Sequence, residues 1–305
     1  MILVFGSLNG DFFLNVKNFP RPGETVLTPG YRVKPGGKGA NQAAAAAKAG
    51  AEVVFIGAVG KDEVAEIPVG ALKAAGVDCS RMQMSEVPTG MAVIMVDAAG
   101  ENSIVVAGGA NGKLSADAVP EDLLGRGHTL VTQMEVPPAE SFSLLRRAKA
   151  KGTVTILNAA PVHPVPADVL PLIDYLIVNE IEAAMIWGSL YETEMPADAG
   201  EAARALAEKT GGTCIVTLGS KGAVASRNGE VLRACGLTIR PVDTTGAGDA
   251  FVGIFAAMTD RGFSLEKALQ YASAGAGLAC LKVGAQEGQP CLKEIEERLE
   301  GIHIT

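Results

Sequence analysis

Short apolar, β-branched runs alternate along this chain with Ala- and charge-rich stretches closed by glycine, and no other feature narrows the fold as much. ILVFG (2–6), EVVFIGAVG (52–60), TVTILNAAP (153–161), YLIVNE (175–180) and TCIVTLGS (213–220) have the composition of strands buried on both faces. Between them run helical stretches at Asn41–Ala49, Ala139–Ala150 and Gly200–Thr210. Each is followed by a glycine (Gly50, Gly152, Gly211), the residue that most easily takes the left-handed conformation ending a helix. Strands linked by crossover helices predict a doubly wound, mostly parallel α/β sheet, with ligands at the carboxyl ends of the strands. LTIRPV (237–242) reads as a further strand.

Two stretches break the alternation. DFFLNVKNF with YRVKPG (11–19 and 31–36), and TGMAVIMVDAAGENSIVVAGG (89–109), have strand-like residues around turns but no room for crossover helices. They predict a small antiparallel sheet inserted at about 11–36 and 89–109, one face covering a substrate and the other meeting a second subunit. AVASRNGEVLRA (223–234) reads as a hairpin turning at Asn228–Gly229. There is no internal repeat and no long linker, so 1–305 is read as one domain.

The formal net charge of -8 leaves no general attraction for nucleic acid or an anionic membrane, so any phosphate must be gripped locally. Five scattered cysteines without a C-x-x-C pair indicate neither a disulfide framework nor a zinc site. The three histidines are far apart and fit no metal motif. With no basic leader before MILVFGS and no apolar run of membrane-spanning length, the expectation is a soluble, cytoplasmic protein.

Chemistry concentrates in VDTTGAGDAFVG (242–253). Phe251, Ile254, Phe255 and Met258 recur at helical spacing, so a helix begins near Ala247 with the amides of Gly246, Ala247 and Gly248 at its open end. Amides without bulky side chains at a helix N-terminus form an anion cradle. Asp249 beside that cradle can take a proton from a hydroxyl attacking phosphorus. No G-x-x-x-x-G-K-[ST] is present, and SLNGD follows the first strand where a dinucleotide binder would carry its glycine fingerprint.

GGKGANQAAAAA near the start and DTTGAGDAF near the end, in this order and separation, resemble the signatures of the ribokinase-like, PfkB-type carbohydrate kinases. The resemblance spans nearly the whole chain. It implies a ribokinase-like three-layer α/β sandwich with a mostly parallel sheet and a small β-sheet lid that doubles as a homodimer interface. It also implies transfer of the γ-phosphate of ATP to a sugar hydroxyl, with Mg²⁺ and K⁺. On this likeness Asp249 is the general base, and Gly246, Ala247 and Gly248 are the anion hole. Asn9 and Asp11 in GSLNGD, Gly37, Lys38 and Asn41 in GGKGAN, and Glu135 in QMEVP hold the sugar. Asn179 and Glu182 organise Mg²⁺ and phosphates through water. Thr217, Gly219, Ser220 and Gly222, with Ser273, border the nucleotide. Asp243 and Thr245, with backbone at Ala279, Lys282 and Gly284, form the monovalent-cation site.

Three positions depart from the family's pattern: Ala107 where a larger polar side chain is usual, Gly288 in place of a small hydroxyl residue near the cation site, and Ala65 in place of a turn glycine. None removes a catalytic element. The expected reaction is phosphorylation of D-ribose at its 5-hydroxyl. The alternatives are a nucleoside kinase, a fructose or 2-keto-3-deoxygluconate kinase, and a non-catalytic sugar-binding regulator.

Overall fold

The computed structural model describes all 305 residues. Six parallel strands form the body of the main sheet, in the order β12-β11-β10-β9-β1-β4. They are β1 (Ile2–Phe5), β4 (Val53–Ile56), β9 (Thr129–Thr132), β10 (Val154–Asn158), β11 (Tyr175–Asn179) and β12 (Thr213–Thr217). The hairpin β13 (Ala223–Arg227) and β14 (Glu230–Ala234) extends it antiparallel at one edge. Asn228 and Gly229 both have positive φ at its turn, which matches the right-handed twist of the paired strands.

Alternate residues of each strand enter two separate cores. Ile2 and Val4 of β1 join one, and Leu3 and Phe5 the other. The first is closed by α1 (Lys38–Lys48), α2 (Glu66–Ala74), α6 (Ala247–Asp260), α7 (Leu265–Ala279) and α8 (Leu292–Glu296). The second is closed by α3 (Pro138–Lys151), α4 (Glu180–Tyr191) and α5 (Ala199–Thr210). The result is the three-layer sandwich that the resemblance implied, around the doubly wound sheet expected from the alternating runs. Gly152 and Gly211 end α3 and α5 in the left-handed conformation.

The lid is a four-stranded sheet in the order β3-β2-β7-β8, from β2 (Asn9–Asn15), β3 (Tyr31–Gly36), β7 (Gly90–Val96) and β8 (Asn102–Ala107). It is mixed where the sequence predicted antiparallel, because β2 pairs with β7 in parallel. A parallel pair needs a long crossover, and α1, β4 and α2 supply it within the main body. EVVFIGAVG also divides. Beyond Gly57 the chain leaves the main sheet as β5 (Ala58–Gly60), which pairs with β6 (Gln83–Ser85). LTIRPV is extended but joins no sheet. The free edge of β14 is met by the last residues of the chain, Arg233 and Thr305 exchanging backbone hydrogen bonds of 2.7 and 2.9 Å.

Register sets which lid residues share a face. Asp11, Ala92 and Val106 lie opposite one another across the strands, as do Phe13, Ile94 and Ile104, so these six share a face. Gly10 lies on the other face, where an added Cβ would come within 2.5 Å of Val64 Cγ1. The face carrying the predicted sugar ligand Asp11 is therefore also the one that exposes Ile104 and Val106 at its edge.

Candidate active site

The carboxyl ends of the parallel strands deliver Ser7, Gln133, Asn158, Asn179 and Thr217 to one rim of the sheet. Helices α1 and α6 start on the same rim and pack tightly enough that a Cβ on Gly253 would sit 2.3 Å from the Gln42 carbonyl. That approach brings Asn41 and Gln42 onto Asp249. Asn41 Nδ2 donates to Asp249 Oδ2 at 2.9 Å, and Gln42 Nε2 to Oδ1 at 3.0 Å. Asp249 is only 8% exposed, and burial pushes its carboxyl above the usual range against the opposing pull of Lys38, Asn41 and Gln42. The Asp249 charge in turn holds the Lys38 ammonium above its ordinary value, against the effect of burial.

Helix α6 begins at Ala247 as the spacing predicts, and its N-cap Gly246 has φ 77°. Only glycine fits there: the conformation is left-handed, and a Cβ would meet Ala285 at 2.9 Å. The Gly246 and Gly248 amides make no hydrogen bond, whereas Ala247 N–H reaches back to the Thr244 carbonyl at 3.2 Å. Two of the three amides of the predicted anion hole are thus open, and the third is spent on the turn.

On the lid side, Glu135 Oε2 accepts from Ser7 Oγ at 2.6 Å and from Lys38 N–H at 2.9 Å, tying the end of β9 to the start of α1. Gly37 enters that helix with φ 89°, and a Cβ there would lie 2.8 Å from Leu8 Cα, so the GGKG segment can lie against SLN only without side chains. Asn9 Oδ1 accepts from Asn111 Nδ2 at 2.7 Å, and Asn111 also bonds both backbone groups of Leu8. Asp11 Oδ1 is buried without a partner. Desolvation, then the negative charges of Glu135 and Asp249, push its carboxyl up to about 7. Asp11, Lys38, Asn41 and Glu135 thus converge between lid and body, around Asp249, with Asn9 bonded to Asn111 on the lid side.

On the other side of the α6 N-terminus lies a cleft of ≈ 440 Å³. Thr217, Gly219, Ser220, Gly222 and Ser273 line it with Leu237, Ile239, Phe251, Ala247 and Gly248. Its walls are mostly apolar, suited to a planar base, and Ser273 Oγ is buried there without a partner. Asn179 is the member of the predicted nucleotide set that does not line the cleft. It is exposed at the end of β11 and forms a reciprocal cap with Glu182, 2.8 Å in each direction. Burial raises the Glu182 carboxyl, opposed by the bond from Asn179 and the charge of Lys38.

Behind the α6 N-terminus, Asp243 Oδ1 accepts from Thr245 N–H and Oδ2 from Gly284 N–H, both at 2.9 Å. Although burial pulls the other way, these bonds hold its carboxyl below the ordinary value. A Cβ placed on Gly288 would lie 2.7 Å from Gly284 O, 2.9 Å from Ala279 O and 3.3 Å from Lys282 O. The three carbonyls expected from the resemblance therefore converge on one small space. Such a donor set suits a monovalent cation. The Lys282 ammonium itself points to Glu294, at 3.0 Å.

Sequence reasoning gave no role to Gln42, Gln133, Asn111, Asn158, Gln286 or Gln289, all buried polar residues around this site. Gln42 and Gln133 stand inside motifs already quoted, next to residues singled out for chemistry; no local signal marks Asn111 or Asn158.

The profile of the pfkB family carbohydrate kinases matches residues 1–291. The ribokinase of Haemophilus influenzae is 36% identical over 302 residues, covering 98% of each chain. The crystal structure of a Thermotoga maritima ribokinase superposes with a TM-score of 0.91 at 30% identity, covering 98% of this chain and 99% of that one. An Arabidopsis thaliana ribokinase solved with ribose and ATP superposes at 0.88 with 32% identity, covering 98% of both.

Proposed function

The chain belongs to the pfkB family of carbohydrate kinases, and from that premise we propose that it transfers the γ-phosphate of ATP to the 5-hydroxyl of D-ribose, with Asp249 as general base. The observation carrying this reading is the position of Asp249. Its carboxylate lies among Asn41, Lys38 and Glu135 on the lid side, while Ala247 and Gly248, on the same helical turn, line the cleft opposite. A hydroxyl held on one side and a triphosphate on the other would meet at that turn.

Asn9, Asp11, Lys38, Asn41 and Glu135 supply directional donors and acceptors, as needed to distinguish a sugar hydroxyl from its absence. The adenine base occupies the cleft between Leu237, Ile239 and Ser273. The open amides of Gly246 and Gly248, with the helix dipole, stabilise charge developing on the transferred phosphoryl group. When bound, Mg²⁺ would neutralise phosphate charge, and Glu182 and Asn179 at the start of α4 are the residues that would hold it through water. Asp243 and the carbonyls of Ala279, Lys282 and Gly284 would take K⁺ beside the α6 N-terminus.

The exposed Ile104 and Val106 support a homodimer through the lid. No helix is long and apolar enough to cross a membrane. Five unpaired thiols and the need for ATP favour the cytoplasm.

The test is ADP release with ATP, Mg²⁺ and K⁺ against ribose, deoxyribose, fructose, fructose 6-phosphate, 2-keto-3-deoxygluconate, adenosine and cytidine. Ribose should give the highest kcat/KM. Preference for another acceptor would reassign the pocket and leave Asp249 in place, and silence across the panel would favour a non-catalytic regulator.

A further inference from the structure

Gln42, Gln133 and Asn158 are buried behind Asp249, and their hydrogen bonds form a chain of fixed polarity. Asn158 Nδ2 donates to the Ile177 carbonyl at 3.0 Å, an acceptor that cannot change character. Asn158 Oδ1 must then face Gln42, whose Nε2 donates to it at 3.0 Å and, through its second hydrogen, to Asp249 Oδ1 at 3.0 Å. Gln42 Oε1 accepts from Gln133 Nε2 at 2.6 Å. Turning the Gln42 amide over would set two acceptors against each other beside Asn158, away from water, where an unpaired polar contact is costly. Asp249 Oδ1 is thus always met by a donor.

The other oxygen has a different neighbourhood. Asn41 Nδ2 donates to Oδ2, and Asn41 Oδ1 accepts from Gln286 Nε2 at 3.1 Å. Gln286 Oε1 has no partner, so no group of fixed polarity ends this second chain. Both amides can turn over together, keep the bond between them, and present an acceptor to Oδ2 in place of a donor.

We propose that Gln42, locked by Asn158, is a positioning residue that reserves Asp249 Oδ2 as the oxygen receiving the substrate proton. The proposal rests on the reading of Asp249 as general base. In the step, the hydroxyl oxygen forms a bond to the γ-phosphorus while the bond from that phosphorus to the β,γ-bridging oxygen breaks. ADP leaves with that electron pair, and the hydroxyl proton passes to Oδ2. The new O–H then donates to Asn41 Oδ1 once Asn41 and Gln286 have turned. The donor on Oδ1 meanwhile favours the ionised carboxylate, opposing the effect of burial.

The experiment is the pH profile of kcat for Gln42→Met, Asn158→Leu and the double variant, with thermal unfolding and ATP binding as checks of the fold. Gln42→Met should move the acid limb to higher pH by about one unit, the effect of losing one hydrogen bond to a charged group, with KM for ATP unchanged. Asn158→Leu never touches Asp249, yet should move the limb the same way by releasing Gln42. The double variant should go no further than Gln42→Met alone. If Gln42→Met does not fold, Asn158→Leu carries the test. An unmoved acid limb in the folded single variants, or additive shifts in the double, would overturn the proposal. Asp249→Asn separates the two ideas: an active Asp249→Asn enzyme sinks the general-base reading itself, whereas an inactive one beside a wild-type Gln42→Met profile sinks only the relay.

Discussion

The main sheet and the lid are built from similar strand residues but meet different surroundings. Every residue of β1, β4 and β9 is buried, with helices over both faces. In the lid, β8 has no buried residue, and Ile104, Val105 and Val106 are all more than half exposed. The main sheet is therefore a fixed rim, and the lid is a thinner layer that gains from covering something. The candidate site lies on the seam: Asp249 and Asn41 belong to the rigid side, Asn9 and Asp11 to the lid.

The largest contrast should come from chemistry on the rigid side. Asp249→Asn should lower kcat roughly a thousandfold, within the range for losing a general base. Nucleotide binding measured by calorimetry should persist, because the cleft walls are untouched. Next is packing. Phe255 is fully buried, against Tyr175 at 5.2 Å and Phe251 at 6.4 Å. Phe255→Ala should cost about 3–5 kcal/mol in denaturant unfolding, a loss that no exposed lid residue should approach.

Asp11 sharpens the comparison through pH. Its folded value of about 7 lies above the ordinary 3.8, so its contribution to stability is complete below pH 4 and is lost as pH rises through 7. Asp11→Asn should therefore raise the melting temperature of the ligand-free protein by roughly 2–5 °C at pH 8 and leave it unchanged near pH 4, while raising KM for the sugar. Scanning calorimetry at the two pH values checks the sign. The smallest effect on folding belongs to the lid edge. If the lid forms the proposed homodimer, Ile104→Glu with Val106→Glu should convert it to monomer in sedimentation, yet shift melting of the main body by only about 1–2 °C. A large drop in stability there would mean that the lid is part of the core.

Legibility differed between the same two regions. The parallel runs declared themselves because strands buried on both faces are continuous blocks of apolar residues, and the start of α6 was placed near Ala247 by its apolar spacing. The lid strands were found, but not the parallel pairing of β2 with β7, since it joins segments more than 70 residues apart. LTIRPV has strand composition and no strand, while the chain terminus pairs with β14 at the sheet edge. Single acidic and Gly-rich positions in the site were legible since they sit in compact motifs. The amides behind Asp249 were not, because a buried glutamine is chemically ordinary until its partners are known.

What the sequence determined by itself is the layered parallel fold, the glycine-flanked start of α6 at Gly246–Gly248 and the carboxylate of Asp249 beside it, all consequences of residues within a turn or two of one another. Tertiary structure alone decided that Ala247 N–H is spent on Thr244, that carbonyls from Ala279, Lys282 and Gly284 meet at Gly288, and that Gln42 has only one permitted orientation toward Asp249. The physical reason is that propensity and periodicity act along the chain. Hydrogen-bond satisfaction inside a buried site is settled only when α1, α6 and the ends of β9, β10 and β11 are packed together.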